Sequence, residues 1–85
     1  MSDRPNIKPG DIISVEGARC VVFRVREAGH AFGDCEVVCN SEKPANFDVV
    51  WRNGAWASAN PNDIGGYAER NEELRPFIRI LRQEV

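Results

Sequence analysis

The stretch Phe47-Asp48-Val49-Val50-Trp51-Arg52-Asn53-Gly54-Ala55-Trp56-Ala57-Ser58 decides the fold. At its centre Asn53-Gly54 separates two β-rich runs. Asn-Gly is the pair that a two-residue type I′ hairpin asks for, because both central residues take positive φ. A two-residue turn also fixes register: Arg52 falls opposite Ala55, and Trp51 opposite Trp56. The second pair from the turn is of the non-hydrogen-bonded kind, in which side chains approach most closely. The two indoles are therefore expected to touch. Phe47, Val49 and Trp51 share one face of the strand over residues 47–52.

Working outward, turn chemistry marks further strands. Residues 1–8 are polar and carry Pro5, so they are expected as an extended or disordered tail. Lys8-Pro9-Gly10-Asp11 is a turn, followed by the β-rich Ile12, Ile13 and Val15; Glu16-Gly17-Ala18 turns the chain again. Residues 19–27 alternate most clearly. Val21, Phe23 and Val25 fall on one face, and Cys20, Val22, Arg24 and Arg26 on the other. A loop bracketed by Gly29 and Gly33 leads to a strand over 35–39, with Cys35, Val37 and Cys39 on one face and Glu36 and Val38 on the other. Asn40 to Asn46 reads as a loop.

Beyond Ala59 the period changes. Asn60-Pro61-Asn62-Asp63 and Gly65-Gly66 are breakers. Leu74, Phe77, Ile78, Leu81 and Val85 then recur at helical spacing, with Glu early and Arg late as the helix dipole favours. Pro76 is harmless only in a first turn. The helix therefore starts near Arg75, or one longer helix is kinked there. A strand over 77–81, with Phe77 and Leu81 on one face and Ile78 and Ile80 on the other, competes with it. The fold class is mainly β: a five-stranded, bent antiparallel sheet capped by a helix over 75–83, within a single domain of residues 1–85.

The opening Lys8-Pro9-Gly10-Asp11-Ile12-Ile13-Ser14-Val15 and the five short strands over residues 8–59 resemble small SH3-like barrels. The resemblance implies a closed, bent barrel and a role in binding or assembly. The acidic loop and aromatic strand of the Pro-rich-peptide binders are absent, as is the basic glycine loop of ribosome-associated barrels. A shared scaffold does not by itself fix an activity.

Composition narrows the class further. Eighty-five residues allow one core, and no apolar run approaches a membrane span. Eleven basic and thirteen acidic residues give a net charge of −2, which disfavours a duplex DNA binder. Nine of the basic residues are Arg, the better residue for planar and stacked contacts. The N-terminus lacks the apolar centre of a leader, so a cytoplasmic protein with reduced thiols is expected. Three cysteines, Cys20, Cys35 and Cys39, are an odd number, and they read as buried small hydrophobes.

Candidate chemistry is sparse. Cys35 and Cys39 with Cys20 and His30 number four zinc-ligand types, but the cysteines lie on a core-like face rather than in a turn. His30, Asp34 and Cys35 include a thiol and a base, but nothing places a cation or helix end to activate the thiol. No phosphate loop, nucleophile elbow or dinucleotide fingerprint occurs. The expectation is a non-enzymatic module without metal or cofactor, acting as monomer or as dimer through a free strand edge. It would bind a protein or peptide through the Trp51/Trp56 hairpin and the Asn40–Asn46 loop, unless both rings pack under the helix. The candidate ligand-binding residues are Trp51, Trp56, Arg24, Arg26, Arg52 and Tyr67. The alternative is a single-stranded nucleic-acid binder using the same Arg and Trp residues.

Overall fold

The Asn53-Gly54 turn takes the conformation its sequence asks for, with φ of 54° and 77°, a type I′ turn. It joins β4 (Ala45–Arg52) to β5 (Ala55–Ser58) in a register of Trp51 opposite Trp56 and Arg52 opposite Ala55. The computed structural model describes residues 4–59, 66–67 and 71–83. The earlier strands are β1 (Ile12–Val15), β2 (Ala18–Val25) and β3 (Cys35–Cys39). A second primed turn, Glu16-Gly17 with φ of 50° and 86°, links β1 to β2. β4 begins at Ala45, two residues before the sequence pattern places it.

The five strands close into a barrel. Each pairs antiparallel with the next along the chain, and β1 meets β5 in parallel through Val15 opposite Trp56. The wholly antiparallel sheet expected from the sequence is thus a mixed one. The cause is arithmetic: an odd number of alternating strands cannot close without one parallel neighbour pair. That seam is narrow. The Glu16 N–H donates to the Trp56 carbonyl at 3.3 Å, and the Ser58 N–H donates to Glu16 Oε2 at 3.2 Å. β4 is longer than β5, and β6 (Gly66–Tyr67) takes up its first two residues, Ala45 and Asn46. This is the plan of an SH3-like barrel with one C-terminal helix.

β2 departs from strict alternation. Its register with β3 shifts between Val22, opposite Val37, and Arg24, opposite Glu36. The extra residue is Phe23, a β-bulge. Cys20, Val22 and Val25 therefore pack in the barrel interior. Val21 and Phe23 join the second cluster outside it. Val25 is thus not on the face of Val21 and Phe23, as unbroken alternation would have it. The bulge also keeps Arg24 and Arg26 off the interior.

A 3₁₀ turn (Glu72–Leu74) and helix α1 (Arg75–Gln83) cover that outer cluster. Pro76 lies in the first turn, where its missing N–H costs nothing. Leu74, Ile78 and Leu81 bury against Val21 and Val38, and Phe77 meets Phe23 edge-on at 5.1 Å. The Asn71 side chain accepts the Glu73 N–H at 2.9 Å. At the far end the Arg19 guanidinium donates to the Leu81 carbonyl, and Arg82 Nε to the Ser41 carbonyl, each at 2.7 Å. The helix thus lies on β2 and β3, away from the tryptophans.

The cysteines depart from the expectation of three separate buried thiols. Cys20 and Cys39 face each other across β2 and β3 with Cα atoms 4.4 Å apart, placed to form a disulfide. The register that carries both side chains to the interior brings them together. Cys35 alone is free and buried. The N-terminal residues from Arg4 to Lys8 have no regular structure, yet they are tied down. The Arg4 guanidinium donates to the Arg26 carbonyl at 2.6 Å, and Ile7 packs against the barrel interior.

Candidate aromatic groove

The two tryptophans meet as the hairpin register requires, with ring centroids 5.1 Å apart and planes at 65°. Offset and tilted geometries suit the ring quadrupoles. Trp56 is only 6% exposed and belongs to the barrel interior; Trp51 packs against that interior but stays partly open. Both line an open groove of about 630 Å³, bounded by Pro5, Ile7 and Ile13 on one side and Gly54, Ala55 and Ala57 on the other. Ser14, Glu16 and Gly17 complete it. The groove opens beside the narrow β1–β5 seam, where one backbone bridge and a side chain stand in for a full ladder.

Trp51 is held from behind by Asp34. β3 starts at Cys35, opposite Val49, so the next N–H along β4 on that side has no strand partner. The Asp34 carboxylate supplies the acceptor: Oδ2 takes the Trp51 N–H at 2.7 Å, while the Asp34 N–H donates to the Val49 carbonyl at 2.8 Å. A side chain thus extends the ladder by one bond. Asp34 is 8% exposed, and its Oδ1 lies 3.4 Å from the Arg4 guanidinium. Arg4, Asp34, Trp51 and Arg52 line a second, polar depression of about 420 Å³. Trp51 is the wall common to both. Its indole Nε1 is buried without a hydrogen-bond partner, a donor whose desolvation is uncompensated.

The other candidate residues separate. Arg24 and Arg26 do not line the groove. Arg26, 12% exposed in its side chain, is committed to Glu36 and to Asp48 at 2.7 Å, which ties β2, β3 and β4 together on the outer surface. Arg24 is 57% exposed and lies 3.6 Å from Glu36. Arg52 is near Trp51, in the polar depression. The Tyr67 side chain lies outside the described residues. The loop 40–46 and the Asn53-Gly54 turn lie at opposite ends of β4, roughly 20 Å apart by strand rise. A short ligand does not reach both.

The cysteines and His30 form no nucleophilic or metal centre. Among the described residues no group of three His, Cys, Asp or Glu side chains is placed to hold a metal. Burial, and after it the Asp34 carboxylate, pushes the Cys35 thiol up to about 12, the reverse of activation. His30 Nδ1 accepts the Phe32 N–H at 3.1 Å and shapes its own loop. No helix of the described residues is long and apolar enough to cross a membrane.

No protein-family model, no curated protein and no solved structure matches this chain. The site is therefore read from its own residues. Sequence pattern found the indole pair but missed Pro5, Ile7, Ile13 and Glu16, which complete the groove. The alternation of β1 marked Ile13 as a strand residue without saying which neighbour it would meet. Asp34 was noticed only beside Cys35, and its role runs through a backbone N–H that no motif records.

Proposed function

We propose that this protein is a small non-enzymatic binding module that takes an extended peptide segment of a partner protein in the Trp51/Trp56 groove. The observation that carries the reading is the groove itself: paired indoles, Ile7 and Ile13, the rim of the first packed cluster, together with Pro5 around an open depression. Aromatic anchors in such pockets supply most of the affinity at peptide and protein interfaces.

The geometry favours a peptide over a nucleic-acid strand. Phosphate binding needs several free cations beside the stacking rings, whereas Arg26 is neutralised by two carboxylates, Arg24 is directed to Glu36, and Arg52 stands beside Trp51 in the polar depression rather than in the groove. The cytoplasmic location expected from the sequence stays a proposal; a Cys20–Cys39 disulfide formed in the purified native protein would favour an oxidising compartment instead.

Selection from a random peptide library, with binding read by Trp emission, tests the function. Ala55→Arg places a long charged side chain on an exposed groove wall without touching the interior. Peptides that bind the wild type and lose at least tenfold in affinity for the variant support the reading. Peptides that bind both proteins equally, or a selection that yields none, overturn it.

A further inference from the structure

Glu16 is the one ionisable side chain among the described residues that line the aromatic groove. Among the described residues no Lys or Arg shares that lining. Its place is also held against a cost: Glu16 takes φ of 50°, a left-handed conformation uncommon for residues other than Gly, Asn, Asp and His. One carboxylate oxygen, Oε2, is anchored by the Ser58 N–H at 3.2 Å. The side chain is thus fixed at the groove rim, on a lining it shares with Trp51 and Trp56. Carboxylate and indole faces complement the same ligand charge.

We propose that the groove selects a peptide carrying a basic side chain, Lys or Arg, whose alkyl stem lies between the groove walls and whose cation sits by Glu16 and the indole faces. This rests on the peptide-binding reading above and deepens it. A basic side chain suits the site in both its parts. The methylene stem matches Ile13, Ala55 and Ala57, and the charged head stays at the open rim beside Glu16, as long basic residues do on apolar surfaces. An acidic side chain would meet like charge at the rim, and a purely apolar one would leave the carboxylate and ring faces unused. The groove is open rather than enclosed, so the cation keeps part of its hydration and the gain from charge is moderate.

The test uses n-butylammonium chloride as the basic stem and 1-butanol as its uncharged counterpart, at constant ionic strength. Both are titrated against the intact protein, following the indole N–H signals by NMR, up to about 10 mM, the range that a buried four-carbon chain supports. Glu16→Gln keeps an oxygen for the Ser58 N–H and removes only the charge. The expected result is saturable shifts of the indole signals with both probes. The cation binds about fivefold more tightly in the wild type, and this preference collapses towards unity in Glu16→Gln. Equal binding of both probes by the wild type overturns the basic-ligand proposal and leaves the groove reading standing. A preference that survives unchanged in Glu16→Gln overturns the role of Glu16 and with it the proposal. Shifts with neither probe overturn the proposal and the groove reading together.

Discussion

Removing the Asp34 carboxylate should loosen the aromatic groove and the barrel at once. Asp34 Oδ2 accepts the Trp51 N–H at 2.7 Å in a site where the residue is 8% exposed. A hydrogen bond to a charged group contributes about 1.5–3 kcal/mol, and Ala at this position leaves the β4 N–H with no acceptor. The contact with Arg4 is longer, at 3.4 Å, and its guanidinium is partly solvated, so solvent screening reduces it to about 0.5 kcal/mol. Asp34→Ala should therefore cost about 3 kcal/mol. In a domain of this size that lowers Tm by roughly 12–24 °C. Asp34→Asn keeps an acceptor for Trp51 and gives up the charge, so its cost should be about 1 kcal/mol. Urea unfolding followed by far-UV circular dichroism measures both, and Trp emission reports the wall of the groove in the same samples. If Asp34→Ala unfolds within about 0.5 kcal/mol of the wild type, the ordinary range of an inconsequential surface change, the ladder-extending bond does not hold Trp51. If Asn is as damaging as Ala, the charge matters and the hydrogen bond does not.

The disulfide closes a separation of 19 residues, worth about 3 kcal/mol by loop entropy. Reduction should lower Tm by roughly 15 °C, and thiol titration of the denatured chain should find one thiol before reduction and three after. Cys35 has its thiol pushed from 9.0 up to about 12. In the folded protein it should resist alkylation at neutral pH. Because the unfolded thiol ionises first, its contribution to stability holds below pH 9 and declines as pH rises from 9 towards 12; rapid labelling of folded protein at neutral pH would contradict this. Gly33 takes φ of 119°, and a Cβ there would lie 2.9 Å from the Val49 carbonyl oxygen. Gly33→Ala should cost about 1–3 kcal/mol in urea unfolding, and a neutral result would show that the 28–34 loop is not pressed against β4.

The hairpin was legible because Asn53-Gly54 fixes register locally. Once the turn type is known, Trp51 opposite Trp56 follows without further information. The helix start was legible for a similar reason, since Pro76 tolerates only a first-turn position. The bulge at Phe23 was not. No Gly or Pro marks it, and the residues on both sides continue to alternate. It becomes necessary only when β2 must present Phe23 to Phe77 and still bury Val25 in the barrel. The Cys20–Cys39 pair depended on the register of β2 and β3 across the 28–34 loop, which no two-residue turn sets. The parallel seam, Arg4 on the Arg26 carbonyl and Asp34 on the Trp51 N–H each join segments far apart in sequence through backbone atoms, where residue identity carries little signal. The same holds for the groove: its aromatic half was readable in one hairpin, and its aliphatic half came from β1 and the N-terminal residues.

In the proposed binding mode, ligands enter between β1 and the β4–β5 hairpin. Amide and indole shift mapping, with a library-selected peptide added to the wild-type protein, tests it most directly. The signals expected to move are those of Ile7, Ile13, Trp51, Ala55, Trp56 and Ala57, with α1 unchanged. Shifts concentrated on α1 or on the Arg24–Glu36 surface, with the indole signals still, would contradict it.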